Sequence, residues 1–303
     1  MRTDGAASPM GRSAETLWPW TGGLRLKGDP PTEAGGDQVQ DVRPLRIGIL
    51  GCLRVMDPCG DVRIRGAKRR ALLARLLVAS NSSVSINQLL EDLWADESSS
   101  GSESTLRSHI SLLRNHIGAE RIRRVGSGYS IEVEGEELDS AVFESEGASG
   151  RQALLAGDLV AAEKHLCSAL VQWRGPALAD VQSALWALPE IARLERLRLT
   201  TLEMWHDALL VQGRHREVVA SAESWLAKDP LDERIRAQQM LALYRSGRQA
   251  DALGSFRELR AALGEELGIE PTRELARLEE AIVLQKPELD DDSALLFAGC
   301  TTR

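Results

Sequence analysis

The sequence predicts a mainly α protein with a small β component, built in two parts of different character. Three observations lead there. Leu106, Ile110, Leu113 and Ile117 recur at i, i+4, i+7 and i+11, one apolar stripe along a helix. Directly afterwards Gly118 stops that helix, Ile122 and Val125 bracket Arg123 and Arg124, and Gly126-Ser127-Gly128 supplies a turn. Tyr129 and Ile131 then start a returning strand. Far downstream, Gly213-Arg214-His215 and Gly247-Arg248-Gln249 lie 34 residues apart (247 minus 213), the period of a tetratricopeptide repeat. A helix followed by a basic hairpin is the plan of a winged helix. The fold class is therefore a winged helix-turn-helix domain plus an α-helical tetratricopeptide-like repeat domain.

In chain order, residues 1–43 are rich in Gly, Pro, Asp and Thr without a period and read as a disordered leader. Leu17-Trp18-Pro19-Trp20 is its one apolar cluster. Arg46 to Met56 is β-branched and apolar, and Val62 to Ile64 follows as a short strand after Pro58-Cys59-Gly60-Asp61. Together they predict a small antiparallel sheet. A helix from Gly66 to Ala79 carries Leu72, Leu73, Leu76 and Leu77 on its apolar face. Arg63, Arg65, Lys68, Arg69 and Arg70 cluster at its start, where the helix dipole disfavours positive charge. DNA phosphate is the candidate contact that would offset this, and a solvated basic patch is the alternative. Ser85, with Gln88 three residues on, is a capping box for a helix through Leu89, Leu90 and Leu93 to Trp94. A polar loop from Ala95 to Ser102 precedes the striped helix, and Leu138-Asp139 closes the first domain, 44–137.

The second domain, 138–287, is helical throughout and is followed by a tail, 288–303. Val218, Val219 and Ala222 follow the first Gly-Arg pair; Ala252, Leu253 and Phe256 follow the second. Asp229-Pro230 breaks the chain between paired helices. A third unit starts at Gly157-Asp158 and leads into Ala161, Ala162, Leu166, Ala169 and Leu170. A long helix runs from about Ser183 to Val211. Helix pairs of this kind bury their faces by stacking and leave a surface for a partner.

Charge separates the halves. Leu45 to Ser130 holds 13 Lys+Arg against 8 Asp+Glu, a balance of +5, which leaves −13 on the rest of a chain whose net charge is −8. A basic module fused to an acidic one fits DNA binding better than the average does. Cys52, Cys59, Cys167 and Cys300 form no C-x-x-C pair, which predicts neither a zinc site nor a disulfide framework. His109, His116, His165, His206 and His215 have no metal-ligand spacing. No G-x-x-x-x-G-K-[ST], H-E-x-x-H or G-x-S-x-G occurs, so no cofactor, metal or hydrolase chemistry is expected. No apolar window spans a membrane and no signal peptide is visible, which predicts a cytoplasmic, nucleoid-associated protein.

The order of elements and the residues in them resemble the Streptomyces antibiotic regulatory protein family. Its OmpR-type winged helix is matched by Gly48-Ile49-Leu50-Gly51, Gly66-Ala67-Lys68-Arg69-Arg70-Ala71-Leu72-Leu73-Ala74, Leu93-Trp94, Thr105-Leu106-Arg107-Ser108-His109-Ile110-Ser111 and Gly126-Ser127-Gly128-Tyr129. The bacterial transcriptional activator domain that follows in this family is matched by Trp173-Arg174-Gly175-Pro176-Ala177-Leu178. It is matched again by Leu243-Tyr244-Arg245-Ser246-Gly247-Arg248-Gln249-Ala250-Asp251-Ala252-Leu253 and Glu265-Glu266-Leu267-Gly268-Ile269-Glu270-Pro271. Family members usually carry Arg where this chain has Leu112. The resemblance implies a transcriptional activator of a secondary-metabolite gene cluster. It implies binding to direct repeats of promoter DNA as a head-to-tail homodimer, and contact with RNA polymerase holoenzyme. Without a receiver domain, an aspartyl-phosphate switch is not implied.

The expected DNA-binding residues are these. Thr105, Arg107, Ser108, His109, Ser111, Arg114 and Asn115 lie on the striped helix, with Arg107, Ser108, Ser111, Arg114 and Asn115 toward the major groove. Lys68, Arg69 and Arg70 anchor phosphates. Arg123, Arg124, Ser127, Gly128 and Tyr129 form the wing. Two alternatives stay open at this point: a repressor using the same contacts, and a repeat-domain adaptor whose winged helix docks protein.

Overall fold

The computed structural model describes residues 44–94 and 103–290. The leader with its Leu17-Trp18-Pro19-Trp20 cluster, the loop 95–102, and the tail beyond 290 with Cys300 lie outside the described residues.

The first half opens with an antiparallel sheet of β1 (Arg46–Gly48), β2 (Arg54–Asp57) and β3 (Gly60–Asp61), in the order β1-β2-β3. The expected run from Arg46 to Met56 is interrupted over 49–53, because that backbone bonds elsewhere, as described below. Val62 to Ile64 is no strand; Val62 N–H donates to the Val55 carbonyl at 2.8 Å and pairing stops there. Three helices follow: α1 (Ala67–Val78), α2 (Ile86–Trp94) and α3 (Glu103–Ile117). Ser85 Oγ accepts from Gln88 N–H at 3.2 Å, half of the expected capping box; the Gln88 side chain donates to Asp92 Oδ1 at 2.8 Å instead of returning to Ser85. A second sheet joins β4 (Val84–Ser85), β5 (Ile122–Val125) and β6 (Gly128–Ile131) in the order β4-β6-β5. Leu72, Leu73, Leu76 and Leu77 of α1 are at most 1% exposed and pack with the α3 stripe, Ile47, Val55, Ile122 and Ile131 in one core. Each such side chain contributes about 1.5–3 kcal/mol by leaving water.

Helices fill the second half: α4 (Asp139–Leu155), α5 (Leu159–Leu170), α6 (Leu188–Val211), α7 (His215–Leu226), α8 (Glu233–Arg245), α9 (Gln249–Glu266) and α10 (Arg273–Val283). The glycine spacing seen in the sequence has a local cause. Gly157, Gly213 and Gly247 hold φ of 77°, 72° and 75°, each just past a helix end. In each, the residue after glycine donates to the carbonyl one residue before the glycine's own acceptor: Asp158 N–H to Ala153, Arg214 N–H to Leu209, Arg248 N–H to Leu243, all at 2.9 Å. The same C-terminal closure recurs after α10 with Gln285 (φ 49°) at the left-handed position, so the site favours glycine without requiring it. The long helix α6 begins at Leu188 rather than near Ser183. Leu178 takes a left-handed conformation (φ 51°), a 3₁₀ turn occupies Ala179–Val181, and Pro189 sets the first turn.

The two halves share a joint that the sequence does not announce. Asp139, only 1% exposed, accepts from Ile49 N–H at 2.8 Å and Leu50 N–H at 3.0 Å, and Arg174 Nη2 donates to it at 3.0 Å. Arg174 Nη1 also reaches the Cys52 carbonyl at 3.0 Å. The backbone continues the stitch: Arg174 N–H donates to Leu50 O and Leu178 N–H to Ile49 O, both at 2.8 Å. Leu178, Val181 and Ala187 enter the winged-helix core, while Leu50 packs with Phe143, Ala169, Ala177 and Leu194. Backbone groups of 49–53 are thus satisfied by the second half instead of by a strand partner.

A buried polar network ties α6, α7 and α8. His206, fully buried, bonds Gln238 Oε1 at 3.0 Å and Ser221 Oγ at 2.9 Å. Burial pushes its pKa down to about 4, although the Gln238 bond opposes the shift. Glu203, one turn earlier, is pushed up to about 7, mainly by burial. Arg234 opposes that shift; Asp232 and Asp207 add to it. The two signs differ. The His206 contribution is complete above its unfolded pKa of about 6.5 and is lost as pH falls toward 4. The Glu203 contribution is complete below its unfolded pKa of about 4.3 and is lost as pH rises toward 7. The slopes oppose each other between these limits. Glu203→Gln removes one of them, so unfolding free energy should climb from pH 4.5 to 6.5 more steeply than in the wild type. The expected extra gain is on the order of 2 kcal/mol across the window, readable from urea titrations at each pH.

Candidate nucleic-acid interface

Helix α3 is fixed in rotation by its stripe: Leu106, Ile110, Leu113 and Ile117 are 0–3% exposed. Everything on the opposite side must then face outward. Thr105, Arg107, Ser108, Ser111, Leu112 and Asn115 are all exposed there. Ser108 Oγ donates to the Ser104 carbonyl at 3.0 Å, which holds its hydroxyl against the helix surface. Arg107 pairs with Glu103 at 2.5 Å, with side chains 55% and 44% exposed. An exposed pair of this spacing is worth about 0.3–0.5 kcal/mol, too little to keep the guanidinium from a stronger anion. Leu112, 41% exposed, puts an apolar spot on the same face.

The hairpin beside it is defined by register. Val125 pairs with Gly128, and Gly126 (φ 55°) and Ser127 make the two-residue turn. A side chain at Gly128 would meet the Val84 carbonyl at 2.3 Å, so β4 approaches β6 only because the residue is glycine. Arg123, Arg124 and Ser127 are exposed on this wing. Arg123 pairs with Glu132 at 2.8 Å. Arg124 has no hydrogen-bond or ion-pair partner among the described residues, and neither has Arg69 at the start of α1.

Six of the expected residues sit differently. Lys68 Nζ bonds the Leu93 carbonyl and lies 5.8 Å over the Trp94 ring, capping the C-terminus of α2. Arg70 forks onto Asp180 at 2.7 and 2.8 Å and onto the Leu53 carbonyl at 2.8 Å, so it serves the joint. The basic cluster at the α1 N-terminus is therefore held partly by the protein's own acceptors. Arg114 donates through Nε and Nη2 to the Ile122 carbonyl at 2.9 and 2.6 Å, bracing α3 against the wing instead of pointing outward. His109 stacks on Trp94 with centroids 6.0 Å apart, and burial together with the Arg69 charge holds its pKa down. Tyr129 is 4% exposed and belongs to the core, and Gly128 is buried against β4. The wing thus offers Arg123, Arg124 and Ser127, with Tyr129 beneath them. Arg63 and Arg65, part of the basic cluster, are exposed and have no hydrogen-bond or ion-pair partner among the described residues.

An exposed polar face on a rigid helix beside a basic hairpin is the arrangement of a winged helix-turn-helix domain. The comparisons agree. Residues 64–131 match the family described as Transcriptional regulatory protein, C terminal, and residues 138–283 match Bacterial transcriptional activator domain. The chain is similar to Regulatory protein DnrI of Streptomyces peucetius, 32% identical over 257 residues, 81% of this chain and 94% of DnrI. It is similar to Regulatory protein AfsR of Streptomyces coelicolor, 35% identical over 252 residues, 82% of this chain but 25% of AfsR. The chain therefore spans about a quarter of that relative's length. Among solved structures, Mycobacterium tuberculosis EmbR in complex with a low-affinity phosphopeptide matches with a TM-score of 0.74 at 30% identity, over 81% of this chain and 66% of that one. The chain belongs to the Streptomyces antibiotic regulatory protein family. Among the described residues no helix is long and apolar enough to cross a membrane.

Proposed function

We propose that this regulator is an activator that binds promoter DNA through α3 and the wing. The carrying observation is the outward face of α3, where Arg107, Ser108, Ser111 and Asn115 stand clear of the core while the stripe fixes their direction. Arg107 suits guanine O6 and N7, Asn115 suits adenine, and Leu112 suits a thymine methyl. Thr105, Arg123, Arg124 and Ser127 take phosphates on either side, and Arg63, Arg65 and Arg69 take them at the start of α1. Family membership supports the rest: direct repeats near the promoter, a head-to-tail homodimer on DNA, recruitment of RNA polymerase holoenzyme, and control of a secondary-metabolite cluster.

Arg124→Ala tests the phosphate role. It should weaken binding to cognate and random duplex about equally, and reduce the slope of log affinity against log salt by about 1. A loss confined to the cognate duplex in a salt-resolved gel-shift series would place Arg124 on a base instead.

A further inference from the structure

A second polar site lies in the helical half, away from the winged helix. A cavity of about 580 Å³ opens between α7, α8 and α9, lined among others by Glu223, Arg236, Gln239, Asp251, Ser255 and Glu258. Arg236 is 7% exposed, and its Nε has no hydrogen-bond partner. Its Nη1 bonds Ser255 Oγ at 3.0 Å and Gln239 Oε1 at 3.4 Å, and its Nη2 bonds the Pro230 carbonyl at 3.4 Å. All three are neutral acceptors. Its ion-pair partner among the described residues, Glu258, stands 3.7 Å away on a side chain 76% exposed. A buried guanidinium ordinarily has a bidentate anion; this one has neutral atoms and a distant, water-covered acid.

We propose that this cavity binds a small organic acid through its carboxylate, which takes the place of Glu258 on Arg236. The planar fork fits either a carboxylate or a phosphate. The other charges decide between them. Arg248 is paired to Asp251 at 2.6 Å, and Glu223 and Glu258 outnumber Arg257 among the other charged lining residues, so the walls around Arg236 are net negative by one. A dianion meets more repulsion there than a monoanion, so a carboxylate is favoured over a phosphate. The acidic walls and the Ser255 hydroxyl also suit ammonium or hydroxyl groups elsewhere on the same ligand. This site stands independently of the DNA-binding reading.

The test uses the full chain and acetate as the probe, at constant ionic strength, following the Arg side-chain Nε resonances by NMR. A saturable shift of the Arg236 signal in the millimolar range is expected. Glu258→Gln removes the competing carboxylate and should tighten acetate binding about three- to tenfold. Arg236→Met should melt near the wild-type temperature and abolish the acetate-induced shifts of the Ser255 and Gly254 amides. Should Arg236→Met not fold, Arg236→Lys keeps the charge, loses the fork, and should weaken acetate binding. No saturable shift up to about 100 mM acetate, or unchanged binding in the folded Arg236 variant, would overturn the site. Tighter binding of inorganic phosphate than of acetate would overturn the carboxylate assignment.

Discussion

Asp139→Ala should lower the unfolding free energy of the whole chain by about 3–5 kcal/mol, the range for breaking a buried charge pair from one side. The carboxylate lies under the joint and satisfies Ile49 N–H, Leu50 N–H and Arg174 together. Alanine leaves two buried backbone donors unpaired and a guanidinium without its anion. No water reaches a position that is 1% exposed without opening the contact between the halves. Burial pushes the Asp139 carboxyl upward, while Arg174 and the two amides pull it back. Asp139→Asn does not rescue the joint, because its amide group points donors at donors. A drop in urea midpoint should therefore appear in both variants. Arg174→Ala should add much less in the Asp139→Ala background than alone. A loss below about 1 kcal/mol, with additive effects, would show that the halves are held by apolar packing.

Arg107→Ala should cost about 1–3 kcal/mol of cognate binding, a loss of about 5- to 150-fold, while random-sequence binding changes little. The residue is 55% exposed and its pair with Glu103 is weak, so removing it leaves the fold alone. The contrast with Arg114 separates reading from bracing. Arg114 is committed to the Ile122 carbonyl. Its alanine variant should lower stability and weaken every duplex alike. Competition gel shifts with cognate and scrambled duplexes, beside a melting curve for each variant, distinguish the two patterns.

The legible parts of the fold were those set by local periodicity. The α3 stripe, the Gly126-Ser127 turn and the Gly213/Gly247 spacing each follow from rules acting within a few residues, and each is present in the structure. Strand β4 was not legible. Val84–Ser85 is two residues long and exists because Gly128 lets β6 come close. The joint was hidden for the same reason. Gly48–Gly51 reads as strand, and only the Trp173–Leu178 segment, over a hundred residues later, diverts its amides and carbonyls. At the candidate interface, exposed positions were readable from the opposite face of a stripe. The partners of Lys68, Arg70 and Arg114 were not, because Leu93, Asp180 and Ile122 reach them through tertiary packing. A basic residue at a helix start announces an unmet need for an acceptor, and sequence alone does not say whether the acceptor is DNA or protein.

Footprinting of the full chain on the DNA flanking its own gene tests the central claim most directly. Protection of directly repeated half-sites on one face of the duplex is expected, spaced by about 10–11 base pairs or a multiple. The same footprint should vanish in an Arg107→Ala chain that melts like the wild type. Uniform protection without a preferred site, or an unchanged footprint in that variant, would contradict a reading helix at α3.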